Sequence, residues 1–140
     1  MTSIPKRGVL LIGAALLIAG SYMTWISVDL GFTSFSSTGT ETTEGKLTAI
    51  AGLVLVIVGL TLTRSGAVGR WSSLVGLAAA GFGGIVLLLE YLDVRERIAE
   101  ADGSAAVATV GMGIWVTAAG ALLAFAAATW ALAAQRQSAA

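Results

Sequence analysis

The 140-residue chain contains no cysteine and no histidine. That excludes disulfides, thiol nucleophiles, imidazole bases, the usual zinc sites and haem held through histidine. Proline occurs once, at Pro5, so no proline interrupts the body of the chain. Charge is scarce and balanced: 11% of residues are charged, eight basic against eight acidic, where a soluble domain carries about 25%. Zero net charge lacks the basic footprint of a nucleic-acid partner. In place of charge stand 56% hydrophobic residues, gathered in long unbroken runs. This is the pattern of an integral membrane protein forming one domain.

A spanning helix needs about 20 mainly apolar residues. Four runs qualify, at about 8–28, 47–63, 71–92 and 107–134. They predict an all-α membrane protein, a four-transmembrane-helix antiparallel bundle. Lys6, Arg7, Arg64, Arg70 and Arg136 fall on one side of the membrane. Lys46, Arg95 and Arg97 fall on the other, with all eight acidic residues. The excess of basic residues places both termini in the cytoplasm. Lys6-Arg7 and the following apolar stretch also fit a signal peptide with a small-residue site at Ala19-Gly20-Ser21. Apolar character continues through Ile26, so the segment is expected to stay as a span. Trp25, Tyr91 and Trp115 lie near the outer span ends, and Trp71 and Trp130 near the inner ends. Amphipathic rings there anchor a protein among membrane lipids at headgroup level.

The inner loop 64–70 is long enough only for a tight helical hairpin. The first outer loop, 29–46, holds Phe32, Phe35 and many serines and threonines, which favour extended structure. A short β-hairpin or ribbon is expected there, turning at Ser37-Thr38-Gly39. The second outer loop has no helix breaker before Gly103. The third helix is therefore expected to run out of the membrane to about Asp102, helped by the Asp93–Arg97 spacing of i, i+4. With a fourth helix starting near Ser104 or Ala105, helices three and four would project together as a stalk.

Small residues let helix backbones approach closely within lipid. Ser72, Gly76, Ala80 and Gly84 repeat every four residues in the third span. Gly113, Gly120, Ala127 and Ala134 repeat every seven in the fourth, as do Gly45, Gly52 and Gly59 around the second. These are candidate packing seams, within the bundle in preference to between copies. The spans are almost free of ionisable groups. Glu90, two residues from the end of the third, is the candidate functional polar residue, since buried charge in lipid marks a pathway or relay. The plainer expectation is an interface residue reaching water or pairing with Arg95 or Arg97.

No phosphate-binding loop, dinucleotide fingerprint, metalloprotease or nucleophile-elbow pattern occurs. Glu90 with Asp93, and Glu100 with Asp102, read as solvated surface charge more than as a calcium site. No enzyme, cofactor or resident metal is expected.

Two stretches carry a resemblance: Glu44-Gly45-Lys46-Leu47-Thr48, leading into the second span, and Val110-Gly111-Met112-Gly113-Ile114-Trp115, opening the fourth and followed by Gly120. They resemble uncharacterised small four-helix membrane proteins of prokaryotes, which implies a cell membrane of that kind and supplies no catalytic residues. The layout also resembles claudin-like proteins in shape: four helices, cytoplasmic termini, a β-rich first outer loop and a projecting third helix. That family's first loop carries a cysteine pair, which is missing here. The expected function is a structural or accessory membrane protein, associating with itself or a larger membrane complex through helix faces and the outer loop. A small oligomeric channel or transporter, or an outer-surface binding or sensing protein, are the alternatives.

Overall fold

A computed structural model describes residues 6–61, 67–101 and 107–137. In chain order these form α1 (Lys6–Tyr22), β1 (Thr24–Asp29), β2 (Ser34–Thr38), a 3₁₀ turn (Gly39–Glu41), α2 (Thr43–Thr61), α3 (Ala67–Ala101), β3 (Val107–Val110) and α4 (Met112–Gln137). The four helices pack in a ring, α1 on α2, α2 on α3, α3 on α4, and α4 back on α1. Three of them, α2, α3 and α4, are long and apolar enough to cross a membrane. The apolar helix α1 is shorter, at 17 residues, or roughly 26 Å at 1.5 Å per residue.

The most intimate contact joins α1 and α4. Gly13 and Gly20 stand seven residues apart on α1 and face Gly120 and Gly113 on α4. A Cβ added to Gly113 would lie 2.8 Å from the Gly20 carbonyl oxygen, and one added to Gly120 would lie 2.8 Å from that of Gly13. Backbone meets backbone at both levels, which only glycine permits. Leu10, Ala14 and Leu17 of α1 continue the seam into a core with Leu55 and Val58 of α2, and with Ala124 of α4.

The first and fourth helices are shorter than the apolar runs that encode them. Helix α1 ends at Tyr22, not Val28, and α4 begins at Met112, not Val107. Residues 24–29 and 107–110 are strands. Thr24, Ile26, Val28, Val107, Thr109 and Val110 are β-branched, so these pieces combine strand propensity with an apolar character that mimics a span. They pair directly. The sheet is antiparallel with order β2-β1-β3, and β1 is its central strand, with Ile26 opposite Val110 and Asp29 opposite Val107.

The expected hairpin is present, but its turn lies at residues 30–33, not at Ser37-Thr38-Gly39. Leu30 N–H donates to the Thr33 carbonyl at 2.9 Å. Gly31 adopts φ +80° and donates its N–H to Asp29 Oδ1 at 2.8 Å, an Asx-type turn that glycine makes without strain. Ser37 and Thr38 instead end β2, and Gly39 opens the 3₁₀ turn. Thr42 then caps α2, its hydroxyl accepting the Gly45 N–H at 3.1 Å.

Helix α3 is 35 residues long, roughly 52 Å, and it runs to Ala101 as expected. Gly103, the expected stop, Ser104 and Ala105 lie outside the described residues, as do Arg64 and Asp102. The stalk differs from expectation. Because β3 occupies 107–110, the end of α3 leans on a strand and not on a helical partner.

Candidate binding site

The sheet closes one end of the bundle, and Trp25 is the plug beneath it. Its indole is fully buried, with Nε1–H donating to the Gly20 carbonyl at 2.8 Å. Gly39 and Gly113 lie against the ring, where an added Cβ would meet indole carbons at 2.5 Å. Trp25 is therefore not an interface anchor: once residues 24–29 become a strand, its side chain points into the bundle. The other expected anchors are on the perimeter. Trp71, Trp115 and Trp130 are each more than half exposed, and Tyr91 stacks edge-on against Trp115 with centroids 6.0 Å apart.

The candidate seams divide. Gly76 and Ala80 face the core, and Gly76 has a Val58 methyl 3.0 Å from where its Cβ would be. Ser72 shares a 3.0 Å hydroxyl contact with Thr61 of α2. Gly84 has nothing within 4 Å of an added Cβ and lines a shallow apolar groove beside Trp115. A four-residue repeat advances by about 400°, drifting about 40° per step from a fixed face. The buried stripe follows Ser73, Gly76, Ala80, Gly83, Val86 and Glu90 instead. Gly113, Gly120 and Ala127 are buried on α4, and the first two meet α1. Their partners Gly13 and Gly20 were missed, although their seven-residue spacing is the same signal.

Between the sheet, the start of α2 and the outer part of α3 lies a cavity of about 830 Å³. That is ample for a small ligand. Its lining is mixed: Ile26, Val28 and Phe35 of the sheet, Leu47 of α2, and Val86 and Leu89 of α3 are apolar. Glu41, Glu44, Glu90 and Asp93 are acidic, against one guanidinium, Arg97.

Each charge has a different situation. Arg97 Nε donates to Asp93 Oδ2 at 2.8 Å, an exposed pair one helical turn apart. Glu41 Oε2 accepts the Thr38 N–H at 3.0 Å and the Ser37 hydroxyl at 2.9 Å. The backbone bond first, then the hydroxyl, hold its carboxyl below the usual glutamate value. Glu44 sits half-buried in the first turn of α2, where the helix dipole favours negative charge.

Glu90 is the exception. It is only 6% exposed, so the expected water-facing interface position is incorrect. Its charged neighbours are Glu44, Asp93 and Arg97, but among the described residues no hydrogen bond or ion pair reaches it. The expected pairing with Arg95 or Arg97 is absent, since Arg97 is turned to Asp93. The other buried polar groups with described bonds behave differently: Ser21, Thr48 and Thr117 each donate to the carbonyl four residues back. Glu90 lies on the α3 stripe that faces the bundle, with Glu44 of α2 among its charged neighbours. No group of three acidic side chains among the described residues is placed to hold a metal ion.

No known protein family, curated protein or solved structure matches the chain.

Proposed function

We propose that this chain is an integral membrane protein that binds a ligand at its outer face, with the helices as anchor and the sheet end as the binding module. Glu90 carries the reading. A buried carboxylate without a partner costs several kcal/mol, and proteins keep such groups where they act. Here the group lines a cavity large enough for a ligand. The five-to-three split of basic residues supports cytoplasmic termini, which puts the sheet end outside. Four glycines consumed in the α1–α4 contact support a bundle closed on itself, not a seam reserved for another copy.

The test is native mass spectrometry of the chain released from its own membrane. A bound small molecule is expected on the wild type and is expected to be missing from Leu47→Trp, which places a large ring in the cavity from the α2 side. A bare wild-type chain would sink the reading.

A second reading, an accessory subunit of a larger membrane complex, is favoured by the hairpin. Phe32 at its tip is 89% exposed and Phe35 is 62% exposed, and β2 is an open sheet edge. The mass of the particle extracted in mild detergent separates the two: a stoichiometric partner lost in Phe32→Ser supports the accessory reading.

A further inference from the structure

On the basis of that binding reading, we propose that the cavity takes an organic cation with an apolar body, its positive charge seated against Glu90 and Glu44. The charge ledger of the walls gives the sign. Four carboxylates and one guanidinium line the space. The Asp93–Arg97 pair neutralises itself, and Glu41 is engaged by Thr38 and Ser37. Glu44 and Glu90 remain, neither carboxylate with a hydrogen bond or ion pair among the described residues. Two uncompensated carboxylates repel an anion and leave a neutral ligand facing their desolvation cost. A cation offsets both.

The rest of the lining gives the ligand its body. Val28, Phe35, Val86 and Leu89 are of no use to a small hydrated ion but cover apolar surface on a larger one. The aromatic face of Phe35 also attracts positive charge. A bare divalent metal fits poorly, because it demands several oxygens converging at fixed distances, and no such group of acidic side chains is present among the described residues. The place of Glu90 on the α3 stripe that faces the bundle, on the same helix as Val86 and Leu89, suits a ligand whose charge is buried while its body packs.

The probe is tetraphenylphosphonium, with tetraphenylborate as a counterpart of the same shape and opposite sign. Binding is measured by equilibrium dialysis against the full chain in phosphatidylcholine nanodiscs, with empty nanodiscs subtracted. The expected result is a saturable site for the phosphonium, no saturable site for the borate, and at least about ten-fold weaker phosphonium binding in Glu90→Gln. Glu90→Gln keeps the side chain's shape and removes a buried charge, so its thermal melting should not fall. If it fails to fold, Glu44→Gln supplies the same comparison from the half-buried end of α2. Phosphonium binding unchanged in a folded Gln variant overturns the proposal, as does the lack of a saturable phosphonium site. Saturable borate binding blocked by Leu47→Trp overturns the cation assignment while leaving the cavity as a binding site. A bare chain by native mass spectrometry removes the binding reading itself.

Discussion

At the residue scale, glycine does two different jobs in this chain, and mutation should separate them. Gly113 is closed in by the Gly20 carbonyl and the Trp25 ring, so Gly113→Ala forces backbones apart. A loss of about 1–3 kcal/mol is expected, read as a lower melting temperature in detergent. Gly84 has open space around it, and Gly84→Ala should stay within about 0.5 kcal/mol of wild type. Equal losses in both would mean that the α1–α4 contact is not the close one. Glu41 gives a pH signature. Its folded carboxyl titrates below the ordinary value of 4.5 because Thr38 N–H and the Ser37 hydroxyl bind its ionised form. The stability it contributes is complete above the unfolded value and is lost as pH falls through the folded one. The Thr38 amide should therefore lose hydrogen-exchange protection in the wild type only once the pH has fallen below the ordinary glutamate value. In Glu41→Gln that protection should be weak at every pH. An acid response identical in the two would mean that the Glu41 carboxylate does not hold the Thr38 amide.

At the scale of elements, the long α3 was legible and the ends of α1 and α4 were not. Residues 93–101 contain nothing that breaks a helix, and the helix duly continues. Residues 24–29 and 107–110 were absorbed into spans because a hydropathy window counts Trp25, Ile26 and Val28 as apolar whichever backbone carries them. Their β-branched alternation was the competing signal, and pairing across about eighty residues of chain decided for it. The turn was similarly ambiguous: Gly31 with Asp29 makes it, while Ser37-Thr38-Gly39 offers an equal local signal that the sheet register overrides. Glu90 was singled out, and the three-and-four spacing from Ser73 to Val86 puts it on the buried stripe of α3, but the cavity it lines is built with sheet residues distant in sequence, which periodicity does not encode. Strand β1 is the element to test. It is paired on both sides, so Ser27→Pro removes a donor from a central strand, where proline is not tolerated. The helical circular dichroism should persist while hydrogen-exchange protection in β1 and β3 disappears. Intact protection of β3 would show that the sheet does not depend on its centre.

At the scale of the molecule, the absence of native cysteine makes topology directly measurable. Phe32→Cys at the hairpin tip should react with a membrane-impermeant maleimide added to intact cells. Gln137→Cys, at the far end of α4, should react only after permeabilisation. The reverse pattern would place the acidic cavity in the cytoplasm. The helices and sheet also constrain each other. A single residue, Met23, separates α1 from β1, and a single residue, Gly111, separates β3 from α4. The two glycine-packed helices thus continue as the two paired strands, and Gly111 N–H bonds the Trp25 carbonyl at 2.7 Å where they join. These are two rulers laid end to end with different graduations. Sliding one helix along the other restores the glycine match only after seven residues, about 10.5 Å. The strands recover their facing only after two residues, about 6.8 Å. Like a vernier, the pair lines up at one height. Helices α1 and α4 are therefore locked in register twice over, once by their glycines and once by the paired strands that adjoin them.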